Sequence, residues 1–307
     1  MTPGTGAAIG VLRHGHSRGH CGGGRRAVAV YREAGEAVVF VHGNSGSSRD
    51  WTALVRETGQ FARAVALDMP GFGRASKPRN FDYTVDGYAR HLAGALDQME
   101  IRRAHLVLHD FGGPWGLAWA ASHPDALASI VLIDIGVPLG YRWHSAARIW
   151  QTPVLGELAM ALTTGPVFRL AFRRGNPRGV PPGFVERMYR DFDRGVRHAV
   201  LRLYRSARDV AREGQRLAEA LRPLDRPALV IWGGQDPYAP VDLAERQREV
   251  FPDAQLAILD DSGHWPFIDD PEGVMRSLLP FLRVVTGQSL EGHEPLPHIP
   301  RQPITTR

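Results

Sequence analysis

The chain has 307 residues, 43% of them hydrophobic and 22% charged, which suits one large domain or a core carrying an insert. Cys21 is the single cysteine, which excludes an internal disulfide and fits a reducing, cytoplasmic setting. No run approaches the roughly 18 apolar residues of a membrane span, and after Met1-Thr2-Pro3-Gly4 no charged segment is followed by an apolar block, so a secretory signal is not expected. The net charge of +5 is almost wholly arginine, Lys77 being the only lysine. The arginines alternate with acids on expected helices, which describes a solvated, salt-bridged surface and not a nucleic-acid face.

Residues 1–25 are rich in Gly, Arg and His without periodicity, and are expected to be a disordered leader. Nothing rigid positions His14, His16, His20 and Cys21 as metal ligands, so no metal is expected. Ala27 to Tyr31 reads as an edge strand. Ala37 to Val41 reads as a buried strand that runs into His42-Gly43-Asn44-Ser45-Gly46. This loop lacks the Gly-Lys-Ser/Thr ending of a phosphate loop. It suits a loop that lends a backbone N–H to an oxyanion hole, Gly43 allowing close approach. A short helix starts at Asp50, a strand runs from Arg63 to Asp68, and Pro70-Gly71-Phe72-Gly73 is a turn with no dinucleotide fingerprint. Thr84 is placed to cap a helix from Val85 to Met99, with Tyr88, Leu92 and Leu96 on one face.

The most informative stretch follows. Leu106-Val107-Leu108 is a short apolar strand, His109-Asp110-Phe111-Gly112-Gly113 is a tight polar turn, and Pro114 opens a helix carrying Trp115, Leu117 and Trp119. Strand, sharp turn and helix match the turn that lifts a nucleophile above a sheet, with a carboxylate in place of the usual serine. The same residues also read as a strand-to-helix turn with a capping Asp. Ile130 to Ile133 is the next strand, with Asp134 at its end.

From residue 137 to 222 strand signals vanish. Helical segments carry Trp143, Trp150, Tyr189 and Tyr204 among 16 arginines and seven acids, and this region is expected to be a helical cap. The sheet resumes with Ala228 to Trp232, ending in Gly233-Gly234-Gln235-Asp236. It closes with Leu256 to Leu259, ending in Asp260-Asp261-Ser262-Gly263-His264. Pro271 to Val285 is a final helix. The core therefore comprises residues 26–136 and 223–286, and 287–307, with four prolines, is expected to be a disordered tail.

Asp110, Asp236 and His264 each follow an expected strand, which puts all three at the carboxyl edge of one parallel sheet, where open α/β sheets bind ligands. On these residues, and on His42-Gly43, the chain resembles the α/β-hydrolase superfamily, in its aspartate-nucleophile branch of epoxide hydrolases and haloalkane dehalogenases. The resemblance covers roughly residues 27 to 285. It implies an α/β-hydrolase fold with a mostly parallel eight-stranded sheet, helices on both faces and an inserted cap. It implies no cofactor, and as partners only a small apolar organic substrate and water, with neither nucleic acid nor membrane.

The roles it implies are Asp110 as nucleophile, His264 as base, Asp236 as the acid behind the imidazole, and the N–H groups of Asn44 and Phe111 as the oxyanion hole. Asp134 is the alternative acid. Epoxide hydrolases use two cap tyrosines as proton donors, and Tyr189 and Tyr204, each in a Tyr-Arg step, resemble that pair; two aromatics packing the cap are the other reading. Haloalkane dehalogenases commonly follow the nucleophile with Trp, where this chain has Phe111, although Asn44 fits their pattern. Epoxide hydrolysis is therefore the expected activity, haloalkane dehalogenation the alternative, and a non-catalytic small-molecule binder the third reading.

Overall fold

The computed structural model describes residues 11–13, 35–181 and 183–288. Its sheet contains β1 (Val11–Arg13), β2 (Glu36–Val41), β3 (Ala64–Leu67), β4 (Arg103–His109), β5 (Leu127–Ile133), β6 (Ala228–Gly233) and β7 (Gln255–Leu259). The strands lie in the order β1-β3-β2-β4-β5-β6-β7. Six are parallel and β1 is antiparallel to β3. The helices are α1 (Thr52–Thr58), α2 (Val85–Gln98), α3 (Gly112–Ser122), α4 (Ser145–Gln151), α5 (Leu155–Leu162), α6 (Gly165–Gly175), α7 (Phe184–Asp191), α8 (Arg194–Ser206), α9 (Val210–Leu221), α10 (Asp242–Arg246), α11 (Pro266–Asp269) and α12 (Pro271–Val285).

Seven strands are described where eight were expected. β7 is half-exposed along its length and is the last strand, with α11 and α12 after it. The expected edge strand from Ala27 to Tyr31 lies outside the described residues, as do His14, His16, His20 and Cys21. Val11–Arg13, within the stretch expected to be a leader without regular structure, forms the short β1.

The central strands read as continuous apolar runs because both faces of the sheet are covered. Successive side chains still point to opposite faces. Val39, Val41, Leu106, Leu108, Leu132 and Val230 pack into one core with Tyr88, Leu92 and Trp115. Val38, Phe40, Val107, Val131, Ile133 and Ile231 pack into the other with Trp51, Leu278 and Phe281. α2 starts as its sequence dictates, the Thr84 hydroxyl accepting the Gly87 N–H at 3.0 Å. Losing such a cap costs about 1 kcal/mol.

Between β5 and β6 the chain leaves the sheet for six helices, α4 to α9. Arg187 on α7 ties this layer to the core by donating to Asp50 at 2.7 Å and to Ser47 Oγ at 3.2 Å. Arg49 pairs with Asp191, and the Ser206 hydroxyl donates to the Tyr83 carbonyl at 2.8 Å. In-register pairing of β2, β4, β5 and β6 brings their carboxyl ends level, Val41 beside Leu108, His109 beside Ile133 and Ile133 beside Ile231. The loops leaving these ends, together with that after β7, meet under the helical layer.

Candidate active site

β4 ends at His109 and α3 begins at Gly112, so Asp110 and Phe111 make the whole turn. Asp110 has φ +47°, a left-handed conformation that a non-glycine residue holds only where its surroundings impose it. The turn is tightly enclosed. A Cβ on Gly112 would lie 2.3 Å from the Val41 carbonyl oxygen, and one on Gly43 would lie 2.3 Å from Asp110 Oδ1. Glycine is required at both places by contact.

The loop after β2 closes over the same carboxylate. The Asn44 N–H donates to Asp110 Oδ1 at 2.6 Å. His42 holds the loop, its Nδ1–H donating to the Gly43 carbonyl at 2.8 Å while Nε2 accepts the Met69 N–H at 3.0 Å. On the other side His264 Nε2 lies 3.6 Å from Asp110 Oδ2. His264 Nδ1–H donates to Asp236 Oδ2 at 2.7 Å. Asp236 Oδ1 accepts the N–H groups of Tyr238 and Ala239 at 2.7 and 3.1 Å, which fixes the carboxylate behind the imidazole.

The electrostatics follow from this enclosure. Burial by itself raises the Asp110 carboxyl, but the hydrogen bond and charge of His264, then His109 and the Phe111 N–H, outweigh it and leave the pKa below the usual carboxylate value. Burial likewise depresses His264, but Asp236 and Asp110 on either side hold it well above the ordinary imidazole value. His109 is fully buried and its pKa falls to about 3, chiefly by desolvation. Its neutral ring donates Nε2–H to the His264 carbonyl at 2.7 Å, which sets the height of the His264 loop.

The alternative acid, Asp134, is also at this edge but does not touch His264. Its Oδ1 accepts the Gly233 N–H at 2.8 Å and its Oδ2 is buried without a partner among the described residues. Burial, and then the charge of Asp236, push its pKa well above the carboxylate range. Asp236 is therefore the acid in contact with the imidazole, and Asp134 stands behind it on the Gly233 N–H.

The alpha/beta hydrolase fold family matches residues 36–271. The chain belongs to the α/β-hydrolase fold family. Among curated proteins it is similar to a 2-hydroxy-6-oxononadienedioate/2-hydroxy-6-oxononatrienedioate hydrolase of Burkholderia vietnamiensis, 29% identical over 81% of this chain and 87% of that one. Among solved structures it is similar to the putative ancestral haloalkane dehalogenase AncHLD2 (TM-score 0.75, 22% identity, 92% and 97% of the two chains). It is also similar to haloalkane dehalogenase DbeA from Bradyrhizobium elkani (TM-score 0.74, 22% identity, 91% and 99%). At these identities the two structures establish the fold.

In this α/β-hydrolase the cap covers the site and leaves a cavity of about 650 Å³ above Asp110. Its walls are largely apolar, with Phe111, Trp143, Phe172, Met188 and Phe192 among them. Tyr204 lines it, its ring 4.9 Å from Phe111 in an edge-on contact. The Tyr204 hydroxyl accepts the Asn44 side-chain N–H at 3.4 Å, and no described residue accepts its own proton. Burial, then the nearby Asp110 charge, raise its pKa well above 10, so the phenol stays protonated.

Tyr189 is not in the cavity. It packs in the cap against Phe168, with ring centroids 5.6 Å apart. One helical position is a turn of about 100°, and α7 points Met188 inward instead. The cavity residues that the sequence did not single out are His144, Tyr141 and Tyr238. His144 caps α4 by accepting the Ala147 N–H on Nδ1 at 3.2 Å, which places the proton of the neutral ring on Nε2. Burial lowers its pKa to about 4. A histidine before a helix was the available signal, but which cap loop faces Asp110 is decided only by packing.

A second histidine set lies at the opposite end of the sheet, His105 Nδ1 being 2.8 Å from Ser129 Oγ and Nε2 2.8 Å from Glu36. Ser129 is 0% exposed, so no substrate reaches it. Among the described residues no cluster of three His, Cys, Asp or Glu side chains is arranged to hold a metal. The chemistry available at the site is that of a carboxylate with N–H donors on one side, an imidazole–carboxylate pair on the other, and a phenol in the roof.

Proposed function

We propose that the protein hydrolyses an epoxide to a vicinal diol through a covalent ester on Asp110. The observation that carries this reading is the Tyr204 phenol, protonated, buried in the roof of an apolar cavity and sharing Asn44 with Asp110. Opening an epoxide generates an alkoxide that must be protonated, and a positioned acid speeds such a step by about 10²- to 10⁴-fold.

Asp110 attacks a ring carbon, the C–O bond breaks, and Tyr204 gives its proton to the departing oxygen, leaving a phenolate. His144, with Nε2–H free among the described residues, is the second donor to that oxygen in place of Tyr189. Esterification removes the Asp110 charge that helped hold His264 protonated, so the imidazolium gives its proton to the Tyr204 phenolate through water, restoring the phenol, and the neutral imidazole becomes a base. His264 then takes a proton from water, and the hydroxide adds to the ester carbonyl carbon. The resulting oxyanion is held by the Asn44 and Phe111 N–H groups; losing one such donor costs about 3 kcal/mol. Collapse of the adduct expels the diol oxygen, which takes the proton of the new carboxyl, and the proton taken from water stays on His264, so carboxylate, imidazolium and phenol are all restored. Asp236 orients the ring and stabilises its charged form.

Haloalkane dehalogenation, through the same ester, is the second reading, favoured by the Asn44 side-chain N–H at the cavity. Against it, Phe111 has no side-chain N–H and the Trp143 Nε1–H is already given to the Ala207 carbonyl at 2.9 Å. The Burkholderia relative's carbonyl substrate is not carried over, because the elbow here bears a carboxylate. The test is a panel of epoxides and haloalkanes assayed side by side for diol and halide release, with Asp110→Asn as control. Diol release that the control abolishes supports the proposal. Halide release without diol, or a fully active Asp110→Asn, removes it.

A further inference from the structure

The cap exposes an apolar face that the reaction does not use. On α5 the residues turned inward are Gly156 and Met160, while Leu155, Leu158 and Leu162 stand in water at 53%, 53% and 63% exposure. Their i, i+3, i+7 spacing puts them on one face. Val154, at 75%, extends it at one end. Two residues after α5 the chain enters α6, where Val167 and Leu170 are half-exposed. Together these side chains leave on the order of 600 Å² of apolar surface in water, the upper end for a monomer.

Two further features say what this face is for. The first is continuity with the cavity: Met160 and Thr163 of the α5 end, and Val167 and Ala171 of α6, line it. The apolar face therefore meets the cavity at Val167 and Ala171, which are both exposed and cavity-lining. The second is charge. Glu157 and Glu186, the acids nearest the face, are neutralised by Arg205 and Arg169. Arg148, Arg173 and Arg174 are exposed and form no ion pair among the described residues. Arg174 lies seven residues after Val167, on the same side of α6. Residues 137–222 as a whole carry 16 arginines against seven acids.

We infer that the outer face of α5 and α6 docks on an anionic lipid surface, seating the cavity mouth against the phase in which an apolar substrate dissolves. The contact is peripheral, since no helix among the described residues is long and apolar enough to cross a membrane. Apolar side chains enter the acyl boundary while flanking arginines meet the headgroups, the pattern of an interfacial helix. A second copy of the chain suits the face less well. A two-fold contact would set the same unpaired arginines of one cap against those of the other. The inference needs only the apolar cavity and holds whichever leaving group the enzyme takes.

The experiment is flotation of the full chain with phosphatidylcholine vesicles, with and without one third phosphatidylglycerol. The protein is expected to float with the anionic vesicles and to be released by high salt. Each arginine near such a surface is worth about fivefold in partitioning. Arg173→Glu with Arg174→Glu is therefore expected to weaken binding at least tenfold, and Leu158→Glu with Leu162→Glu to abolish it. None of these four residues lines the cavity, so turnover of a water-soluble substrate stays unchanged. Failure of the wild type to float, or equal binding to neutral vesicles, overturns the inference. So does a wild-type dimer that Leu158→Glu with Leu162→Glu converts to monomer, which would assign the face to a second copy.

Discussion

Tyr204→Phe is the sharpest perturbation, because it deletes one hydroxyl and leaves the packing intact. The ring keeps its edge-on contacts with Phe111 and Trp150, both at 4.9 Å between centroids. The hydrogen bond lost is long, 3.4 Å from Asn44, so the stability cost is about 1 kcal/mol. The kinetic cost is of another order. If Tyr204 protonates the opening epoxide, the variant loses about 10²- to 10⁴-fold in the alkylation step, roughly 3 to 5 kcal/mol in the barrier. Halide displacement needs no proton and should change by less than about tenfold. The assay is single-turnover mixing with an epoxide and with a haloalkane, following the ester on Asp110 by mass spectrometry. Equal slowing of both substrates, or no slowing of the epoxide, refutes the proton-donor role.

His264→Gln is expected to form the Asp110 ester and fail to release it, so intact-protein mass should gain one substrate equivalent; an unmodified mass with lost activity would count against the two-step scheme. Asp236→Asn should lower turnover by up to about 10⁴-fold. Asp134→Asn, which keeps the side chain's shape and leaves the Asp236–His264 hydrogen bond in place, should stay within about twofold; steady-state rates of the two variants decide between the acids. His109, held neutral with a pKa of about 3 against about 6.5 in the unfolded chain, makes the unfolded state bind more protons below pH 6.5. Its contribution therefore destabilises the fold progressively from pH 6.5 downward, by about 3 kcal/mol at pH 4. Thermal unfolding of His109→Gln against wild type should show a shallower loss of stability over that range, and parallel curves would contradict the assignment.

The elbow, the His42-Gly43-Asn44 loop and the order of Asp110, Asp236 and His264 were legible because each is local. A strand signal ends, a tight turn begins, and the polar residue there must stand at the sheet edge. The choice between Asp134 and Asp236 was not local. Both follow strands, and only the backbone N–H groups of Tyr238 and Ala239, which swing Asp236 toward the imidazole, separate them. The cap was legible as helices but not as a lining. Tyr189 and Met188 differ by one position, and the rotation of α7 against α6 selects Met188. His144 entered the cavity by the same kind of decision.

The strand count shows the limit at the sheet's edges. β2 to β6 announce themselves as apolar runs because they are covered on both sides, whereas β7 is half-exposed and β1 is three residues long and defined by its pairing with β3. Backbone sterics and apolar periodicity act over a few residues, and they suffice for the parallel sheet, the turn that raises Asp110 and the helical nature of the insert. Long-range packing settles which acid meets His264, which cap residues face Asp110 and which helix face is left in water. Those outcomes depend on how helices rotate and pack against partners far away in the chain, and no local pattern encodes that rotation.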